Sequence, residues 1–544
     1  MRRMPRVLSP SMAKITIDGR AIECRDGLPV LQAALEAGWD VPHYCYHPGL
    51  SIVASCRLCL MEMKMPHPQT KELAWSPKLV PSCQTPVKDG LEVRFASDRV
   101  RESQRHVMEY YLLNHPLDCP VCDKAGECYL QDYSEKFGHA TSRMLEDKLK
   151  NPKKDIGPHT LLYQDRCVLC TRCVRFCQEV AGAGELTVVD RGNRSEIDVF
   201  PGVPLDNELQ GNVVDLCPVG ALLDKDFLFK QRVWLLRSAK SISPANSGGS
   251  AIWIDYNDEG IHRIRPRLNP GVNDWWIADE ERFDWKYVQR PDRLNRPQVR
   301  ADGALRDARW EALPAELRKR FAQAAAGDEG AGMAAVLSPM MSCEEAWLLA
   351  RFMRSVAPRS MLVVGYVPVA GEDKKFPRGF VIRAEKCPNR RGVERILEHY
   401  GGPWMTFGDF LAAAAGGRFQ AAYVAGGYPN DWVTPPVEQA LRKVEFLVVQ
   451  DLFPSRLDGC VSVRIPSVSW AEREGTFMNC NRLIQSFERA LPPLEGCKPD
   501  GQFLFELAGD SGLFRARKVR EQMAAAMPEF GKLHIPPDAP RYAH

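Results

Sequence analysis

Residues 14–45 read KITIDGRAIECRDGLPVLQAALEAGWDVPHYC. Ile15 and Ile17 alternate with polar neighbours, Asp18-Gly19 has the chemistry of a tight turn, and Ile22 and Cys24 alternate on the return. Period-two alternation around an Asp-Gly pair predicts a β-hairpin. Leu31, Ala34 and Leu35 then share one helical face, with Gly38 where a C-terminal cap is expected. Cys45 follows in a loop. The order is hairpin, helix, then a thiol.

That thiol opens the first of three constellations. Cys45, Cys56, Cys59 and Cys83 are spaced C-x10-C-x2-C-x23-C. Thiolates are soft ligands that suit iron or zinc, and two cysteines two residues apart can grip one metal from a single loop. Structural zinc also takes four thiolates, so the spacing alone leaves it open. The hairpin–helix–loop order is how the plant-type ferredoxin fold begins, and it favours a 2Fe–2S cluster. The first gap is longer than the plant-type C-x4-C-x2-C…C.

The second constellation is His115, Cys119, Cys122 and Cys128, spaced H-x3-C-x2-C-x5-C. A helix is expected over residues 98–113: Val100, Val107 and Tyr111 recur at helical spacing, and Ser97 or Asp98 can cap it. Asn114-His115-Pro116 should end it, because proline disfavours a helical residue before it. His115 therefore sits at a helix exit beside a C-x2-C pair. Zinc on three cysteines and one histidine is the alternative to a 4Fe–4S cluster.

The third is Cys167, Cys170 and Cys173 with, after a gap, Cys217-Pro218. Bacterial ferredoxins carry C-x2-C-x2-C-x3-C-P. Cys177 fits the x3 position but lacks the following proline, and reads as a buried free thiol, like Cys24. Cys217-Pro218 is expected at a loop-to-helix junction, with the proline in the first turn. These four thiols make the ligand set of a second 4Fe–4S cluster. Any one constellation could be zinc; three in this order look like a wire.

Composition agrees with this emphasis. Thirteen of 18 cysteines lie at or before residue 217 of 544. A disulfide framework belongs to small secreted chains, so metal or cluster binding is the better reading here. The length points to about three or four domains. Net charge is +3, from 72 basic and 69 acidic residues, which gives no footprint for nucleic acid or an anionic membrane. No apolar run approaches the ~20 residues of a membrane span. Met1 to Ala13 has three arginines and no apolar h-region, and is expected to be a disordered lead-in rather than a secretory signal. From about residue 230 strand-like runs (Met333 to Leu337, Ala421 to Ala425, Phe446 to Val449) alternate with helical ones (Glu344 to Val356, Val437 to Lys443). That alternation predicts an α/β domain with a largely parallel sheet. No strand–GxGxxG–helix unit for NADH or flavin is present.

The three ligand sets together resemble the large iron–sulfur subunit (the 75-kDa subunit family) of NADH–quinone oxidoreductase, respiratory complex I. The long first gap and the His-Cys set are also similar to those of NAD-linked hydrogenases. Residues 229 to about 490 resemble the molybdopterin-dependent oxidoreductases at Ile264-Arg265-Pro266-Arg267, Asn273 to Trp275, Asp279 to Phe283, Arg293 to Pro297, the Gly426 to Asn430 loop and a late loop from Glu472 to Asn479. The active members of that superfamily open this region with a cysteine motif, whereas Trp234 to Ile252 has none. No molybdenum ligand is recognisable. Cys343, Cys387, Cys460, Cys480 and Cys497 lack ligand spacing and read as structural. The chain stops soon after residue 510, where the superfamily's cap domain would follow, so that domain is expected to be missing.

The resemblance implies an α+β and α/β multidomain chain. The expected order is a plant-type ferredoxin (β-grasp) module at 14–97, a His/Cys-ligated 4Fe–4S module at 98–150 and a 4Fe–4S ferredoxin-like module at 151–228. A degenerate molybdopterin-oxidoreductase-like part follows at 229–290 and 291–510, then a C-terminal tail at 511–544. It implies one 2Fe–2S and two 4Fe–4S clusters, no molybdenum cofactor, and no catalytic acid, base or nucleophile. The implied activity is NADH:quinone oxidoreduction, proton-translocating, by a complex in which this chain carries electrons. The implied partners are a flavin- and NADH-binding subunit and other peripheral-arm iron–sulfur subunits. The implied place is peripheral, on the cytoplasmic side of a bacterial inner membrane or the mitochondrial matrix side. Alternatives are an iron–sulfur subunit of an NAD-linked hydrogenase or formate dehydrogenase complex, and a zinc-stabilised scaffold.

Overall fold

In the computed structural model, which describes residues 11–67, 69–401 and 404–537, the predicted hairpin forms from strands Met12–Ile17 and Arg20–Arg25. Asp18 and Gly19 both take positive φ, 48° and 83°, as the tightest hairpin turns require. The first strand also runs parallel to Glu92–Arg94, which pairs antiparallel with Leu60–Pro66. Helix Val30–Glu36 buries Val30, Leu31, Ala33 and Ala34. The core it shares with Ile15, Ile17, Met61 and Val93 includes Cys59 and Cys83. This is the β-grasp arrangement. Of the expected lead-in, residues 1–10 lie outside the described residues; Met12 and Ala13 belong to the first strand, where they pair with Arg25 and Cys24.

Helix Asp98–Leu112 starts on Ser97, whose hydroxyl accepts from the Val100 N–H. Its buried positions are Val100, Gln104 and Met108, so the buried stripe is turned from the predicted one; Val107 and Tyr111 are half-buried. After the His115 loop come a short turn, Cys119–Val121, and helix Tyr129–Phe137. Next, strand Thr160–Tyr163 lies between Lys153–Asp155 and Leu222–Asp224 in an antiparallel sheet. Short helices Arg172–Phe176 and Asn212–Leu216 are connected through these loops. One expectation fails here. Cys217 is the C-cap of Asn212–Leu216, and Pro218 to Ala221 lead into a strand, not a helix. Proline sits there because it cannot continue the helix that has just ended.

Two compact units result. One holds the chain up to Leu235 with Phe376–Arg378; the other holds Leu236–Lys375 and Gly379–Pro537. The second contains an antiparallel sheet, Arg237–Ile242, Ala251–Asn257 and Gly260–Pro266. It also contains the predicted parallel sheet, whose spatial order is Val463–Pro466, Phe446–Asp451, Ala421–Ala425, Met333–Leu337, Met361–Val364. Two antiparallel strands, Gln298–Ala301 and Ala304–Asp307, extend it. Met333–Leu337 and Ala421–Ala425 are buried throughout, as strands covered on both faces must be. The expected late loop instead contains strand Gly475–Met478, paired with Ile484–Phe487. The segment after residue 510 carries helix Ala516–Ala526, whose Val519 and Met523 join the main core.

Candidate metal centres

All twelve predicted ligands lie in the first unit. At the first site, pairing of Leu60 with Pro81 sets Cys59 beside Cys83. The Ser82 N–H and hydroxyl both donate to the Cys59 carbonyl, at 3.1 and 2.7 Å. Ala54 and Arg57 take positive φ, 52° and 58°, and this curls the loop around Cys56. The four thiols are buried and meet in two hydrogen-bonded pairs, Cys45 with Cys56 and Cys59 with Cys83. Ionising Cys45 or Cys59 pushes its partner's thiol up, through the hydrogen bond first and burial second. Four thiolates cannot coexist here without a positive group among them, and bound metal removes thiol protons outright. Backbone N–H groups already face sulfur: Tyr44 donates to Cys56 at 3.4 Å, and Ser55 and Cys56 donate to Cys45.

At the second site Cys119, Cys122 and Cys128 interact electrostatically in sequence. His115 shares the Arg166 cation with Cys122. Burial, with Arg166 and Lys148 nearby, lowers the His115 imidazole to about 4, so it is neutral and keeps a lone pair to donate. Arg166 is 2% exposed and donates to Asp118 at 2.7 Å and to the Gly220 carbonyl at 3.4 Å. The Lys124 N–H donates to Cys122, and those of Leu130 and Gln131 to Cys128. Cys119 is the one exposed cysteine of the chain's described residues.

At the third site Cys167, Cys170, Cys173 and Cys217 line one small cavity of about 20 Å³, with Arg172 and Pro218. Burial pushes the thiols of Cys167, Cys170 and Cys173 up. Arg172 is 1% exposed, and its Nε has no acceptor among the described residues. Cys177 is buried but does not line this cavity. The third site touches the other two. A Cβ on Gly220 would fall 2.3 Å from Cys122 Sγ, so only glycine admits that sulfur, and the Tyr129 N–H donates to the Pro218 carbonyl at 3.0 Å. Toward the first site, Arg175 Nη2 donates to the carbonyls of Cys45 and Cys170, at 2.6 and 3.1 Å. Sequence reasoning missed these arginines, although Arg172 and Arg175 lie within two residues of Cys173.

The second unit fits its implied groups poorly. Residues 236–286 contain no cysteine. Phosphates bind such folds beyond the carboxyl ends of the strands, where Asp451, the last residue of strand Phe446–Asp451, is buried. Asp451 accepts from the Gly427 N–H and the Trp432 Nε1–H, both at 2.8 Å. Glu345 and Ser342 cap helix Cys343–Val356. Burial raises Asp451 to about 6. An anionic pterin or nucleotide finds these donors already taken.

The chain's segments match known families. Residues 11–98 match a 2Fe-2S iron-sulfur cluster binding domain. Residues 104–143 match the NADH-ubiquinone oxidoreductase-G iron-sulfur binding region. Residues 157–223 match the ferredoxin-like domain of NADH-quinone oxidoreductase subunit 3. Residues 236–286 match the NADH-ubiquinone oxidoreductase NDSU1/NuoG-like 4Fe-4S domain, and residues 408–510 match molybdopterin oxidoreductase. Iron–sulfur domains of both the 2Fe–2S and 4Fe–4S kinds are thus present. An NADH-quinone oxidoreductase subunit of Rickettsia bellii (strain RML369-C) is 37% identical over 345 residues, 63% of this chain and 48% of its own length. The NADH-ubiquinone oxidoreductase 75 kDa subunit of Reclinomonas americana is 41% identical over 300 residues, 55% of this chain and 42% of its own. The chain spans about half the length of the curated relatives it matches. A chain of a solved NAD+-reducing [NiFe]-hydrogenase is 29% identical, covering 41% of this chain and 91% of that chain, with a TM-score of 0.36. Among the described residues no helix is long and apolar enough to cross a membrane.

Proposed function

We propose that this chain, a sequence relative of the NADH-ubiquinone oxidoreductase 75 kDa subunit, is the iron–sulfur subunit of such a complex and relays electrons from a flavin- and NADH-binding subunit toward quinone. The single observation that carries the reading is the packing of three soft-ligand sets in one unit, with the third in contact with both others. Cys45, Cys56, Cys59 and Cys83 would hold a 2Fe–2S cluster. His115, Cys119, Cys122 and Cys128 would hold one 4Fe–4S cluster, and Cys167, Cys170, Cys173 and Cys217 the other. When bound, each cluster supplies one-electron redox chemistry.

The chain's own residues do the rest. Thiolates and the His115 imidazole bind, and the backbone N–H groups facing sulfur stabilise the more negative reduced state. Arg166 and Arg172 add buried positive charge, and burial keeps water from most of the ligand thiols, Cys119 excepted. No side chain here needs to move a proton. The partners are the flavin subunit and further iron–sulfur subunits. The seat is peripheral, on the cytoplasmic face of a bacterial inner membrane or the matrix face of a mitochondrial one; the relatives' names as NADH-quinone oxidoreductase subunits support a place in such a complex.

The test is iron, sulfide, zinc and molybdenum content of anaerobically purified chain, with EPR after dithionite reduction. One 2Fe–2S and two 4Fe–4S signals, without molybdenum, are expected. Zinc in place of iron, with no EPR signal, sinks the relay; molybdenum or tungsten favours a dehydrogenase.

A further inference from the structure

Helix Arg172–Phe176 carries Cys173, a ligand of the third site, yet both of its arginines reach into the first module. Arg172 donates to the Tyr46 carbonyl, next to Cys45, and at 3.3 Å to the Leu216 carbonyl, next to Cys217. Arg175 donates to the carbonyls of Ser51, Cys45 and Cys170. Ser51 is held a second time by Glu179, three residues past the same helix, through its N–H at 3.0 Å. The loop between Cys45 and Cys56 is thus tied at several points to the ligand helix of another site.

We propose that Arg175 is a positioning residue for electron exchange between the first and third sites: its planar fork fixes the Cys45 loop against the Cys170 loop and supplies the hydrogen-bonded bridge between them. This rests on the cluster reading above. With clusters bound, one electron would pass between the set Cys45, Cys56, Cys59 and Cys83 and the set Cys167, Cys170, Cys173 and Cys217, in either direction. No bond breaks and no proton moves. Electronic coupling decays more slowly through bonds and hydrogen bonds than across a gap. Cys45 O···H–Nη2–H···O Cys170 replaces a gap with two hydrogen bonds to one nitrogen. Arginine is required because its donors are rigid and coplanar, whereas lysine offers a mobile point charge. Arg175 is 8% exposed, so its charge is little screened and favours the reduced state on either side.

The test uses the full chain with its clusters, as wild type, Arg175→Lys and Arg175→Gln. Iron and sulfide content, EPR-monitored redox titration and electron exchange after flash reduction are measured on each. In both variants all three EPR signals should persist and exchange between the 2Fe–2S and the Cys167-held 4Fe–4S cluster should slow several-fold. In Arg175→Gln both midpoint potentials should also fall, while that of the His115-held cluster stays. In Arg175→Lys the potentials should remain near wild type, which separates geometry from charge. Wild-type exchange in both variants overturns the proposal. So does a Gln variant that merely loses iron beside a Lys variant with wild-type exchange, since that is scaffolding. Wild-type chain without iron sinks the cluster reading itself, and the proposal with it.

Discussion

His115 is the residue at which ligand identity and local charge meet. Its imidazole is neutral where a thiolate is anionic, and it shares its surroundings with the cations of Arg166 and Lys148. Fewer negative ligands and nearby positive charge both favour the reduced cluster, as histidine ligation does in Rieske centres. His115→Cys should therefore keep a 4Fe–4S cluster and lower its midpoint potential by on the order of 100 mV. A redox titration reads this directly, and an unchanged potential would remove His115 from the ligand set. The residue was legible as a candidate ligand because it is four residues from Cys119, at a helix exit forced by Pro116. Arg175 was not legible in the same way: its acceptors Ser51 and Cys45 lie 124 and 130 residues away in sequence. Only the fold brings a side chain to a carbonyl over such a separation.

At the level of elements, helix Cys343–Val356 shows what the second unit does with buried charge. Its Glu344 is fully buried, accepts from the Thr476 N–H at 2.8 Å and hydroxyl at 3.0 Å, and lies 3.4 Å from Arg520. Burial outweighs these partners and raises its carboxyl from 4.5 to about 7. A carboxyl whose pKa is raised on folding binds its proton more tightly in the native state. Its contribution is complete below pH 4.5 and is lost as pH rises through about 7. Glu344→Gln, neutral at every pH, should match wild type near pH 5 and exceed it above pH 7, by on the order of 2 kcal/mol. Thermal melts at pH 5 and pH 8 measure this; a variant weaker at pH 8 would mean that Arg520 needs the carboxylate. The helix itself was visible in the sequence, as were its neighbouring strands, because apolar runs between turn signals leave little choice. The end of Asn212–Leu216 at Cys217 was misread, since Cys-Pro serves equally to start a helix or to follow one. Strand Gly475–Met478 was also hidden, because its pairing with Ile484–Phe487 is a tertiary fact.

Across the whole molecule, predicted ligands and apolar cores are divided unequally. In the first unit Cys59 and Cys83 are themselves part of the β-grasp core, and the remaining predicted ligands sit in loops, short turns and one five-residue helix. Such segments bury too little to offset their conformational entropy alone, and metal-binding free energy then becomes folding free energy. The second unit has larger cores built around its parallel sheet, and no predicted ligand belongs to them. The change of character near residue 230 was legible in the cysteine distribution, whereas the way those thiols pack is a tertiary fact. Removing iron and sulfide anaerobically should therefore raise amide hydrogen exchange in residues 41–59, 115–128 and 160–222, measured by mass spectrometry of peptides. Nine of the 12 tryptophans lie beyond residue 235, so tryptophan fluorescence melts of the same samples chiefly report the second unit, and these should not move. Unchanged exchange in the three ligand segments would mean that the clusters are passengers on a preformed fold. A fluorescence melt that falls with iron would mean that the second unit draws its stability from the first.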